Sequence, residues 1–134
     1  MKVETLPLEV LEGLADRLAD ARHDLGKYIR FETRFVEDSA DVGALRDALK
    51  ADLLATRRRG DQLEPAVAVW ARLRPAELDG DPDVAAIDAA MASLAGFDPG
   101  APEAALREAA RQAREVSEAS RRLHARARTR LGEG

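Results

Sequence analysis

The residues of this chain best equipped for chemistry lie together, at Arg22-His23-Asp24-Leu25-Gly26-Lys27 and then at Arg30 and Arg34. On an α-helix at 100° per residue, Leu11, Leu14, Leu18, Leu25, Ile29 and Val36 form one apolar stripe. His23 then falls roughly 160° from that stripe, in line with Lys27, Arg30 and Arg34. It is the only histidine in the first 120 residues, and it is set among cations. An outward imidazole beside a carboxylate suits phosphoryl or anion chemistry, because Asp24 can hold the ring in its reactive tautomer. Lys27, one turn on, can neutralise an incoming phosphoryl group. Gly26 leaves room beside the histidine for a partner, at a cost of about 1 kcal/mol in a helix interior.

The stretch His23-Asp24-Leu25 resembles the phosphoacceptor helices of sensor kinases, in which His followed by Asp or Glu and then Leu recurs. That resemblance implies His23 as phosphoacceptor in a phosphotransfer or receiver-docking module. In phosphotransfer domains, lysine stands three residues after the histidine and glycine four. Here Gly26 and Lys27 have exchanged those places. The sequence offers no nucleotide-binding domain, so autokinase activity is not expected. His23, Asp24, Lys27, Arg30 and Arg34 also resemble, over about a dozen residues, the conserved-histidine helical domains that bind polyphosphate (the CHAD family). That likeness implies a groove in which arginine forks grip phosphate oxygens. The chain is about half that family's usual length, shows no second copy of the motif, and is acidic overall, with a net charge of −4.

Other chemistries find less support. Asp20 and His23 have the spacing of two ligands on one helix, but a di-iron bundle needs two Glu-x-x-His motifs, and His124 has Arg121 three residues before it. Asp79-Gly80-Asp81-Pro82-Asp83 copies half a calcium loop, yet Val84 stands where that loop needs glycine and Ala90 where it needs glutamate. A helix-capping turn is the reading adopted. No metal or cofactor is expected. Ser39, Ser93, Ser117 and Ser120 occupy cap, helical or seam contexts, and no phosphate-cradling glycine loop or nucleophile elbow is present, so catalysis is not expected. Arg121 to Arg130 carries no acid, but it lacks interleaved aromatics and any groove-reading motif. Complementation of the helix dipole, together with arginine-rich coding, accounts for its charge.

Composition narrows the class. One domain of 134 residues, 46% hydrophobic and 34% charged, with aromatics at only 4%, implies a folded chain whose core is built from Leu, Val, Ile and Ala. The absence of cysteine rules out disulfides and thiol chemistry. No apolar run approaches a membrane span, and Met1-Lys2-Val3-Glu4-Thr5 lacks a signal-peptide core, so a cytoplasmic, bacterial protein is expected. The net negative charge weighs against nucleic acid as a partner.

Five helices must position these residues, and no strand is read. The first runs from after Leu6-Pro7 to about Val36. Asp38-Ser39-Ala40-Asp41 caps a second that carries Val42, Leu45, Leu49 and Leu53 and ends at Arg57-Arg58-Arg59-Gly60. The third opens near Asp61 or Glu64, turns Val67, Trp70 and Leu73 inward, and stops at Pro75. Asp81 caps the fourth, with Val84, Ile87, Met91 and Leu94 inward and Gly96 as its stop. After the loop Phe97-Asp98-Pro99-Gly100-Ala101-Pro102, a long last helix reaches about Leu131. Its seam holds Leu106, Ala109, Ala113, Val116, Ser120, Leu123 and Ala127. Residues 132–134 are expected to fray. The expectation is an all-α, up-and-down bundle of four to five helices, with long first and last members. The function read from it is a non-catalytic interaction or regulatory domain. Its exposed face at His23, Lys27, Arg30 and Arg34 would hold an acidic or phosphorylated protein partner. Phosphotransfer through His23 and polyphosphate binding are the alternatives.

Overall fold

The computed structural model describes residues 1–28, 63–95 and 102–132. Among them are four α-helices, which we label α1 (Leu8–Tyr28), α2 (Leu63–Leu73), α3 (Pro82–Ala95) and α4 (Glu103–Arg130). Two 3-10 turns, Val3–Thr5 and Ala76–Leu78, complete the described elements, and no strand occurs among them. The protein is an all-α helical bundle. The expected helix through Val42 and Leu53, its cap at Asp38–Asp41 and its stop at Arg57–Gly60 lie outside the described residues. So do the continuation of the first helix through Val36, the Gly96 stop, residues 97–101 of the loop, and residues 133 and 134.

Apolar spacing explains which face each helix buries. On α1, Leu11, Leu14, Leu18, Ala21 and Leu25 are all buried, at helical intervals. On α3, Val84, Ile87, Ala90, Met91 and Leu94 point into the same core. On α4 the seam Ala109, Ala113, Val116, Ala119, Ser120, Leu123 and Ala127 is buried, so four alanines bring that backbone close to its neighbours. Helix α2 contributes the only tryptophan, Trp70, fully, and Val67 and Leu73 in part.

The connections follow from turn chemistry. Helix α2 ends at Leu73, ahead of Pro75, which fixes its own φ and has no amide to donate. Gly80 adopts φ +92°, a left-handed backbone that side chains rarely tolerate, and so lets the chain reverse before Asp81. Asp81 then caps α3: its Oδ1 accepts the Asp83 amide at 2.9 Å, and Pro82 opens the helix, where its missing N–H is no loss. Trp70 Nε1 and the Arg74 guanidinium both donate to Asp88, at 2.7 and 2.9 Å, and so tie the C-terminal end of α2 to the middle of α3. Arg130 donates to the Leu6 carbonyl at 2.6 Å, while Leu25 faces Ala113 and Val116 at the other end. Helices α1 and α4 are therefore antiparallel.

Candidate functional site

Two places along α4 concentrate charge. At its C-terminal end, Arg126 reaches three carboxylates from two other segments. Its guanidinium donates to Glu4 at 2.7 Å, to Asp81 at 2.8 and 3.0 Å, and to Asp83 at 2.6 Å. Asp81 is completely buried, and its Oδ2 also accepts the Val3 amide at 3.1 Å. Burial alone would raise the Asp81 pKa, but the Arg126 hydrogen bond and the Val3 and Asp83 amides outweigh it and hold the carboxyl below its ordinary value. The Arg126 hydrogen bond likewise lowers the Glu4 pKa to about 2. Arg126 in turn is raised above its ordinary value, chiefly by hydrogen bonds to Glu4 and Asp81. Arg122, one turn back, donates to Asp83 and Glu115, both at 3.0 Å. This cluster binds the N-terminal turn, the α3 cap and α4 together, and every carboxylate in it is already paired.

The second place is a cleft between α1 and α4 with a volume of about 360 Å³. Leu25, Ala113 and Val116 lie at its base and are buried in the core. Arg22 borders it from α1, and Arg114 and Arg121 border it from α4. Neither Arg22 nor Arg121 has a hydrogen bond or ion pair among the described residues, and both are exposed. Among the described residues of the lining, Glu118 is the one acid. Ser117 and Ser120 add hydroxyls; Ser120 is 7% exposed, and its Oγ has no hydrogen-bond partner. Gly26 forms part of the α1 wall, and a Cβ built there would meet nothing within 4 Å.

The structure places the sequence-derived site residues as follows. His23 is exposed on α1, away from the buried stripe, and Asp24 beside it is half-buried. Lys27 lies in the last turn of α1, its side chain outside the described residues, and Arg30 and Arg34 lie outside them altogether. The described residues therefore show the start of the expected cationic face, at His23, and not its assembly. Sequence reasoning missed Arg22, Arg121 and Ser120 as a group. Ser120 was legible as a polar interruption of an otherwise apolar seam, and Arg22 stands next to the histidine that drew attention. No group of three or more His, Asp or Glu side chains is placed to hold a metal among the described residues. No helix among them is long and apolar enough to cross a membrane. No protein-family model, curated protein or solved structure matches the chain.

Proposed function

We propose that this chain is a non-catalytic cytoplasmic interaction domain that uses the outer face of α1 to hold an acidic or phosphorylated partner. The observation that carries this reading is the setting of His23. It is exposed on the side of α1 opposite Leu11, Leu14, Leu18 and Leu25, with open space at Gly26 on the adjoining flank. Lys27 follows one turn later; Arg30 and Arg34, which the sequence reading assigns to the same face, lie outside the described residues. Attraction of this kind is screened within about 10 Å at 0.1 M salt, so binding should weaken steeply as ionic strength rises.

A second reading makes His23 a phosphoacceptor, supported by its exposure and by Asp24 one residue on. The two readings rank variants in opposite orders. Short polyphosphate and a phosphorylated receiver domain are each presented to the full chain and to two variants. On the interaction reading, replacing Lys27, Arg30 and Arg34 together by Gln abolishes binding, while His23→Gln reduces it only modestly. On the phosphotransfer reading, His23→Gln ends labelling of the protein, and the triple variant only slows it. If neither probe registers on the unsubstituted protein, both readings fall.

A further inference from the structure

We propose that the outer face of α1 is a self-association surface, on which two copies of this chain meet antiparallel, with Asp16 and Asp20 of each facing Lys27 and His23 of the other. This rests on the reading that the face holds an acidic partner, and it names that partner: the acidic half of the same face on a second copy.

Charge on this face is sorted by position. At 100° per residue, Glu9, Glu12, Asp16, Asp20, His23 and Lys27 fall within an arc of about 80°, centred opposite the buried stripe. Asp24, half-buried, lies outside that arc. The acids are exposed and come first; His23, also exposed, and then Lys27 follow. None of these acids has a hydrogen bond or ion pair among the described residues. The helix dipole accounts for Glu9, in the first turn, but fades before Asp16 and Asp20. Glu12, Asp16 and Asp20 follow one another at four-residue intervals, where like charges repel along a helix. A cation facing them from outside relieves that repulsion.

The spacing selects a second copy as the source of that cation. In a two-fold antiparallel contact, residues equally far to either side of one midpoint face each other. Asp16 and Lys27 have their midpoint between Ala21 and Arg22, and so do Asp20 and His23. One axis therefore forms both pairs, twice over, in a single contact. Glu9 and Arg34 have the same midpoint in the sequence, and Arg34 lies outside the described residues. A parallel arrangement would set acid on acid. Gly13 and Ala19, both exposed, flank the arc, and a Cβ at Gly13 would meet nothing within 4 Å, so no bulk holds a second helix away. One pair of helix faces is smaller than the interface of a stable complex, and exposed ion pairs are individually weak, so the dimer is a transient one.

Analytical ultracentrifugation of the full chain, from about 10 μM to about 1 mM in roughly 20 mM salt, should show a reversible monomer–dimer equilibrium. At about 0.3 M salt the dissociation constant should rise about tenfold or more, because charges at such a surface are screened. Asp16→Lys and Lys27→Asp should each weaken self-association about tenfold or more, since each sets like charges together. Mixing those two variants should restore it as a heterodimer, because every pair is then opposite in sign. Arg72→Asp makes the same change of charge at an exposed position on α2 and should leave self-association unchanged. Asp20→Lys, also at an exposed position, breaks the second pair independently, and circular dichroism verifies that each variant is folded. A chain that stays monomeric up to about 1 mM overturns the proposal. If that monomer still binds short polyphosphate or the phosphorylated receiver, the reading of the face stands alone; if it binds neither, both fall. Self-association that survives Asp16→Lys and Lys27→Asp, or that mixing the two fails to restore, overturns the proposal equally.

Discussion

Arg126 and Arg121 lie five residues apart on α4 and meet opposite surroundings. Arg126 points across the bundle end to Glu4, Asp81 and Asp83, and each oxygen of the completely buried Asp81 carboxylate is hydrogen-bonded. Arg121 faces the cleft with Arg22, beside a buried serine hydroxyl that nothing satisfies. About 140° of helical turn separates the two arginines, so one basic run serves two surfaces. A buried carboxylate must be paired, because leaving it charged and alone costs several kcal/mol. An exposed arginine carries no such requirement, and its charge remains available to a ligand. Charge that holds the fold is thus told apart from solvated charge by its partners, not by its residue type.

The largest break in this comparison is at Asp81. Asp81→Ala removes the α3 cap and the central partner of Arg126, and should cost roughly 3 kcal/mol in a denaturant titration. That is the low end for a buried ion pair, because Arg126 is a quarter exposed and keeps Glu4 and Asp83. Asp81→Asn retains the cap and should lose less.

Acid should act on the same end. Glu4 and Asp81 both have pKa values below those of an unfolded chain, roughly 4, with Glu4 at about 2. The unfolded chain therefore takes up protons first as pH falls. The stability these groups contribute is fully present above about pH 5, and is lost progressively as pH drops through their lowered folded values, which for Glu4 is about 2. Thermal melts between those limits should show a falling midpoint, and the Asp81→Asn variant should show a shallower fall.

Much of this fold was legible in the sequence, for a local reason. Periodic leucines on α1 and the Val84, Ile87, Met91 and Leu94 set on α3 each report a buried face within a few turns of chain. The Asp81 cap was legible because capping is settled within two residues. The N-terminal turn was not: Val3 and Leu6 are buried, yet a three-residue turn is too short to show a period. Nor was the Arg126 cluster, since Glu4 lies 122 residues away and Asp81 lies 45 away. At that end of α4, Arg122 and Arg126 are also held by specific carboxylates. At the candidate site, Gly26 was marked by its cost in a helix, and His23 by its position. The cleft itself needs α1 and α4 in register, which no single helix encodes.

Gly26 sharpens the comparison in the other direction. Its Cβ position is open and its backbone helical, so Gly26→Ala should stabilise the protein by about 1 kcal/mol, read as a rise in midpoint. A loss would mean that the cleft wall is more tightly packed than its open space implies. His23→Ala should be the smallest change, under about 0.5 kcal/mol, as at other exposed positions. A larger loss in the same melts would make His23 a structural residue and remove the basis for a binding face.

The most direct measurement sets the two arginines against each other by thermal melts of Arg126→Gln and Arg121→Gln under identical conditions. Arg126→Gln leaves the buried Asp81 short of its main counter-charge and should lower the midpoint by roughly 10 °C. Arg121→Gln should shift it by no more than about 2 °C, because no carboxylate among the described residues depends on it. Equal losses from the two substitutions, or no loss from Arg126→Gln, would contradict the division of α4 into a fold-holding end and an exposed, unpaired flank.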